Sequence, residues 1–223
     1  MMKISNDTKD VLKNFSTINS GIRVKTGNKL ETISNMKNIL AVATVSEEFP
    51  QDFSIYNLPE FLGATSLMDD PDFQFNASSL SVADNNSSLA YFYAAEGMVT
   101  APDKMITMPE AEIEFKVTST LLGDLKKAAA VLGVNDLVLK SDGTVVTLVV
   151  TDKKSPSSNT FSRIVEAESD GTSYEMNFKM ENLKILDGNY DVQVSSKGIS
   201  HFNNVDVELE YFIALEPDSK YNA

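Results

Sequence analysis

Lysines at helical spacing are the groups in this chain that could do chemistry. Lys9 and Lys13 stand four residues apart in KISNDTKDVLKNFSTINSGI (Lys3–Ile22), so a helix there carries both on one side. Half a chain later, TLLGDLKKAAAVLG places Lys126 and Lys127 beside an outer face of Gly123 and Ala130. Ammonium groups on flexible stems act as point charges. They attract phosphate without imposing the geometry that reads a base. For the first helix alone a solvated basic face is the simpler reading, and the recurrence is what shifts the balance. Catalysis has few parts to work with. There is one histidine, His201, in the polar stretch GISHFNN, where a surface turn is expected, and there is no cysteine. Neither Cys–His nor Ser–His–Asp chemistry can be assembled. The pairs Glu47-Glu48 and Asp69-Asp70 flank turns as loop-solvating acids, and no phosphate-binding glycine fingerprint occurs.

Two helices must position those lysines. In the first, Ile4, Thr8, Val11, Leu12, Phe15 and Ile18 form one apolar stripe; Ser5 or Asn6 caps it and Gly21 marks its stop. In the second, Ser119 is the expected cap, and Leu121, Leu122, Leu125, Ala128, Ala129 and Leu132 form the buried stripe. Around them run short alternating segments read as strands: Ile22–Thr26, Leu30–Ser34, Leu40–Ser46, Phe53–Tyr56, Phe73–Asn76, Leu80–Ala83 and Leu89–Tyr93, then Ala111–Thr118, Leu137–Lys140, Val145–Thr151, Phe161–Glu168, Tyr174–Phe178, Tyr190–Ser195 and Val205–Leu215. NLPEFLGATSLM and MENLKILDG read as short helices, and the tail PDSKYNA as polar and mobile.

An offset of 113 lays Ile4 on Val117, Ser5 on Thr118, Leu12 on Leu125 and Lys13 on Lys126. An offset of 122 lays Leu58 and Phe61 on Met180 and Leu183. The chain therefore reads as a duplication: an N-terminal domain over 1–108, including a connector over 94–108, and a C-terminal domain over 109–223. Strands outnumber helices, which makes each half an α+β domain with helices on one face of curved antiparallel sheets.

The 223 residues carry a net charge of −13, unevenly spread. Residues 1–30 hold six cations against Asp7 and Asp10, a net of +4, which leaves −17 on the remaining 193. An acidic exterior with local basic faces suits a protein that DNA touches on one surface only. No apolar run approaches the roughly 20 residues that span a bilayer, so no membrane partner is expected.

VLKNFSTINSGI (Val11–Ile22), YNLPEFLGATSLMDD (Tyr56–Asp70), KMENLKILDGNY (Lys179–Tyr190) and YFIALEPDS (Tyr211–Ser219) together resemble the DNA polymerase sliding clamps of T-even-type tailed phages. The resemblance spans nearly the whole chain in order and thins over Ser78–Lys104. It implies the duplicated clamp fold, with helices on the inner face of antiparallel sheets, and a homotrimeric ring around double-stranded DNA. It further implies a DNA polymerase and an ATP-driven clamp loader as partners, late-transcription factors beside them, no cofactor, and the cytoplasm of an infected bacterium as the place of action. Matched position by position, Lys13, Lys127 and Lys184 fall where such clamps place basic residues on lining helices. Lys3, Lys9 and Lys126 join them from the helical wheel. Gly123 and Ala130 depart from the pattern, where larger or charged residues are expected. A groove for a partner's peptide corresponds to Met105, Ile106, Met108 and Pro109 with Phe212, Ala214, Leu215 and Pro217, although Phe212 and Ala214 alternate as any core strand would. The rivals are a non-catalytic ring-forming structural or virion accessory protein and a single-strand binder. Aromatic residues on apolar stripes, not interleaved with lysines, disfavour the latter.

Overall fold

The computed structural model describes residues 1–95, 97–167 and 171–222. The chain falls into two compact units, Met1–Met105 and Ile106–Ala223.

In the first unit, Ser5 caps helix α1 (Asn6–Ile18) by accepting a bond from the Thr8 amide at 3.2 Å. Thr8, Val11, Leu12, Phe15 and Ile18 are buried as the stripe requires, and each large apolar side chain contributes about 1.5–3 kcal/mol. The helix ends at Asn19, not at the glycine two residues on. Gly21 has another purpose: a Cβ there would lie 3.0 Å from Val99 Cγ1 and 3.2 Å from the carbonyls of Ile55 and Tyr56. Strands β1 (Ile22–Val24), β2 (Gly27–Ile33), β3 (Ile39–Phe49) and β4 (Phe53–Ile55) follow, with β1 paired to β4 and β2 to β3. Helix α2 (Leu58–Thr65) buries Leu58 and Phe61 beside α1. The meander β5 (Asp72–Phe75), β6 (Ser79–Ala83) and β7 (Ser88–Phe92) closes the unit.

Glu47 of β3 fastens the start of α1. Its carboxylate accepts the Ser5 amide at 2.5 Å and the Thr8 hydroxyl. Burial pushes this carboxyl up, but the bonds from Thr8 and Ser5 outweigh it and hold it below the usual value of 4.5. A depressed carboxyl contributes stability above its unfolded pKa, and that contribution is lost as pH falls through the folded one. Glu47→Gln is expected to cost about 1–3 kcal/mol at neutral pH. The gap to the parent should close in acid, and chemical denaturation across pH checks it; parallel curves would contradict the role.

The second unit repeats the plan. Strand β8 (Ile113–Val117) leads into α3 (Ser119–Leu132), capped by Thr118, whose hydroxyl accepts from the Leu121 amide at 3.2 Å. Thr118 thus replaces Ser119 as the cap and stands 113 residues after Ser5. Leu122, Leu125 and Ala129 are buried, while Leu121, Ala128 and Leu132 reach only half-burial. Gly133 stops the helix at φ 66°, ψ 34°, the left-handed region where a Cβ is costly. Strands β9 (Asp136–Asp142), β10 (Val146–Thr151), β11 (Phe161–Ile164), β12 (Ser173–Lys179), β13 (Tyr190–Ser195), β14 (Ile199–Asn204), β15 (Leu209–Ala214) and β16 (Lys220–Asn222) follow. They form the antiparallel ladders β11-β10-β9-β12-β16 and β15-β14-β13-β8.

Several expectations change. The stretch Val205–Leu215 is not one strand: β14 precedes it and β15 begins at Leu209, because Asn204 Oδ1 accepts the Asp206 and Val207 amides and turns the chain. MENLKILDG gives one 3-10 turn, Met180–Asn182, and then an irregular loop. The tail is not mobile over Lys220–Asn222, which pair with β12. Glu96 of the expected connector, Glu168 of the expected strand and Ala223 lie outside the described residues. No helix among the described residues is long and apolar enough to cross a membrane.

Candidate DNA-facing and partner-docking surfaces

Lys13 projects from α1 on the side opposite the buried stripe, exposed, with its ammonium 3.0 Å from Asp10. Lys9, one turn earlier, is half-buried. Lys3 precedes the helix and is engaged elsewhere, 3.0 Å from the Asp70 carboxylate and 3.7 Å from that of Asp72. The Asp70 bond raises its pKa, so its charge persists but faces two carboxylates.

In the second unit Lys127 is exposed on α3. Its neighbour Lys126 turns inward and donates to the Ile185 carbonyl at 3.1 Å. Burial pushes its pKa down against the pull of Asp187. That bond pins the loop carrying Lys184, which is exposed but sits on no helix. The loop is braced again where the Leu186 amide donates to the Tyr211 hydroxyl at 3.1 Å and the Tyr190 hydroxyl donates to the Leu186 carbonyl at 2.6 Å. Burial raises Tyr190 to about 12, so both rings serve as neutral hydrogen-bonding posts. Of the six lysines, Lys3, Lys13, Lys127 and Lys184 are exposed, and Lys3 is drawn to two carboxylates. Lys126 holds a loop, and Lys3 closes one.

The residues expected to form the peptide groove divide by burial. Met105 and Ile106 are exposed, and Met108 and Pro109 half-buried, along a stretch without regular structure. Phe212 and Leu215 are buried, Ala214 is half-buried and Pro217 exposed. The Phe212 ring stacks 4.5 Å from the His201 ring. His201 lies in β14, not in a turn, with Nε2 2.8 Å from Glu210.

Two edge strands carry exposed apolar side chains. Phe92 of β7 is 72% exposed and Ile164 of β11 is 76% exposed, and each strand pairs on one side only within its ladder. Arg163 of β11 lies 4.5 Å over the Phe161 ring and 3.3 Å from Asp124 of α3, which fixes that edge to the helix. The available signal was apolar residues at outward positions of the short runs SLAYF and FSRI.

Two family models match the chain in order: DNA polymerase processivity factor over residues 5–101, and gp45 sliding clamp, C terminal, over residues 114–217. The sliding clamp of Vibrio phage KVP40 is 36% identical over 222 residues, covering 96% of this chain and 99% of that protein. The chain belongs to the sliding-clamp family. The sliding clamp of Enterobacteria phage T4 is 29% identical, over 99% of this clamp and 100% of that protein. Among solved structures, A. fulgidus PCNA bound to the C-terminal region of FEN-1 matches 95% of this clamp and 96% of its own chain, with a TM-score of 0.67 and 13% identity. That similarity speaks to the fold. The expected α+β clamp fold is thus the one observed, and the protein is a phage processivity factor of DNA replication.

Proposed function

We propose that three copies of this clamp close into a ring around duplex DNA and tether the replicative polymerase, after opening by an ATP-dependent loader in the cytoplasm of the infected bacterium. The two units act as two clamp domains joined near residue 108. The observation that carries the reading is the duplicated capped helix: α1 and α3 each present an exposed lysine, Lys13 and Lys127, away from a buried stripe, in a chain of net charge −13. Lys184 adds to the same cationic set. Three protomers would place these groups around DNA, attracting phosphates and gripping no base. The role is topological, with no catalytic step. A tethered polymerase works at an effective concentration far above its bulk value.

Closure uses the edges. β7 of one protomer pairs with β11 of the next, which covers Phe92 and Ile164 and removes two open strand edges. Polymerase, loader and late-transcription factors share the docking surface of Met105–Pro109 and Phe212–Pro217, where methionines adapt to several ligands. Light scattering at two protein concentrations tests the assembly. A mass near three times 24.5 kDa is expected, falling on dilution at most in part. A concentration-independent monomer would refute the ring.

A further inference from the structure

Strand β16 lies along one edge of β12, with Lys220 opposite Glu175, Tyr221 opposite Tyr174 and Asn222 opposite Ser173. β12 is anchored on its other side by β9 and buries Tyr174, Met176 and Phe178. β16 buries nothing fully: Lys220 and Asn222 are exposed, and Tyr221 is half-buried with its ring stacked 6.0 Å from Tyr174. A three-residue strand held by ladder bonds, one ring contact and a 3.3 Å bond from Asn222 Nδ2 to Ser173 Oγ belongs to the least stable part of a fold.

The chain leading into β16 hangs on the same edge. The Glu216 amide donates to the Asn177 carbonyl at 2.8 Å, the Asn177 amide donates to Ser219 Oγ at 2.9 Å, and Asn177 Nδ2 reaches the Asp218 carbonyl at 3.3 Å. Lys153 closes the turn, 2.6 Å from the Asp218 carboxylate. The fit is incomplete, because Asn177 Oδ1 is buried without a hydrogen-bond partner among the described residues. A buried acceptor left unmet costs about 1–3 kcal/mol, so the hold of this segment is weaker than its bonds alone suggest. Phe212, Ala214, Leu215 and Pro217 stand immediately upstream in this segment.

We propose that β16 is a displaceable placeholder, and that a partner's extended peptide takes the β12 edge by strand exchange as it docks. This rests on Phe212–Pro217 being part of the docking surface. The placeholder shows what fits: backbone that continues the ladder, an aromatic residue to stack on Tyr174, and a basic residue opposite Glu175. Because the free edge exists only while β16 is away, a partner's apparent affinity is its intrinsic affinity multiplied by the fraction of clamp with β16 displaced.

The test uses a fluorescent peptide copying the C-terminal segment of the cognate phage polymerase, titrated into the full-length clamp. Lys220→Glu with Tyr221→Ala loosens β16 by setting like charges opposite and removing the ring stack. Glu175→Cys with Lys220→Cys locks it when oxidised, since the parent has no cysteine to compete. The loosened clamp should bind the peptide about fivefold tighter, the locked clamp at least about tenfold weaker, and reductant should restore the locked form. Equal affinity in all three forms overturns the placeholder and leaves the docking surface standing. Weaker binding by the loosened form makes β16 part of the site and also overturns it. No binding by any form overturns the docking surface and this inference together.

Discussion

A clamp carrying Lys13→Glu and Lys127→Glu is expected to fold and assemble but to lose most of its loading and processivity. Both side chains are exposed and neither belongs to a buried stripe, so stability should change by no more than about 1 kcal/mol each. Lys13 gives up its 3.0 Å contact with Asp10, an exposed pair of small value. The electrostatic change is much larger in the assembly. Each protomer shifts by four charge units, beside a duplex that presents one negative charge per roughly 1.7 Å of axis. Processive synthesis should fall by more than about tenfold, most of all at low salt. Binding of an isolated partner peptide should remain as in the parent, because Phe212 and Leu215 lie elsewhere in the chain and are untouched. Lys126→Met should behave differently: it frees the Ile185 loop and destabilises, with less effect on loading per folded molecule. A double glutamate variant that loads like the parent would show that α1 and α3 do not face DNA.

Ring closure should be as sensitive to single edge residues. Ile164→Asp in β11, or Phe92→Asp in β7, changes a side chain that is largely exposed within the protomer. The fold of each unit should persist. In the proposed ring a neighbour would cover the same position, and enclosing an unpaired carboxylate there would cost more than about 3 kcal/mol, over a hundredfold in association. The solution mass should drop to that of one chain, 24.5 kDa, with an unchanged far-ultraviolet spectrum. Asp124→Ala should weaken assembly more mildly, since it only releases Arg163 from the helix. Trimers that survive both edge substitutions would place the interface elsewhere.

The stripe of α1 was readable, and its cap to within one residue (Ser5 or Asn6), as was that of α3 (Ser119 expected, Thr118 found), because helical periodicity and capping are local properties of the chain. Strands with strong alternation, such as β8 and β13, were equally legible. What escaped depends on partners distant in sequence. β14 and β16 are polar runs that become strands only because β13 and β12 offer edges. MENLKILDG satisfies a helix count, yet Tyr190, Tyr211 and Lys126 hold its loop open. The cationic site was half legible for the same reason. A wheel puts Lys126 on the rim of α3, but only the fold shows its ammonium turned to a backbone carbonyl. Lys3 likewise meets carboxylates 67 and 69 positions away. Gly123 and Ala130 are exposed on α3, so its outer face is small in the middle and carries its charge on Lys127.

Encirclement is tested most directly by retention on DNA of defined topology. Clamp loaded by its ATP-driven loader onto nicked circular duplex should co-elute with the circle through a sizing column in about 0.2 M salt, where exposed-charge attraction is strongly screened. Cutting the circle once with a restriction enzyme should release it, and blocking both ends of the linear product should keep it on. Clamp that stays on open-ended linear duplex in that salt, or that leaves intact circles as readily as cut ones, would contradict a ring around DNA.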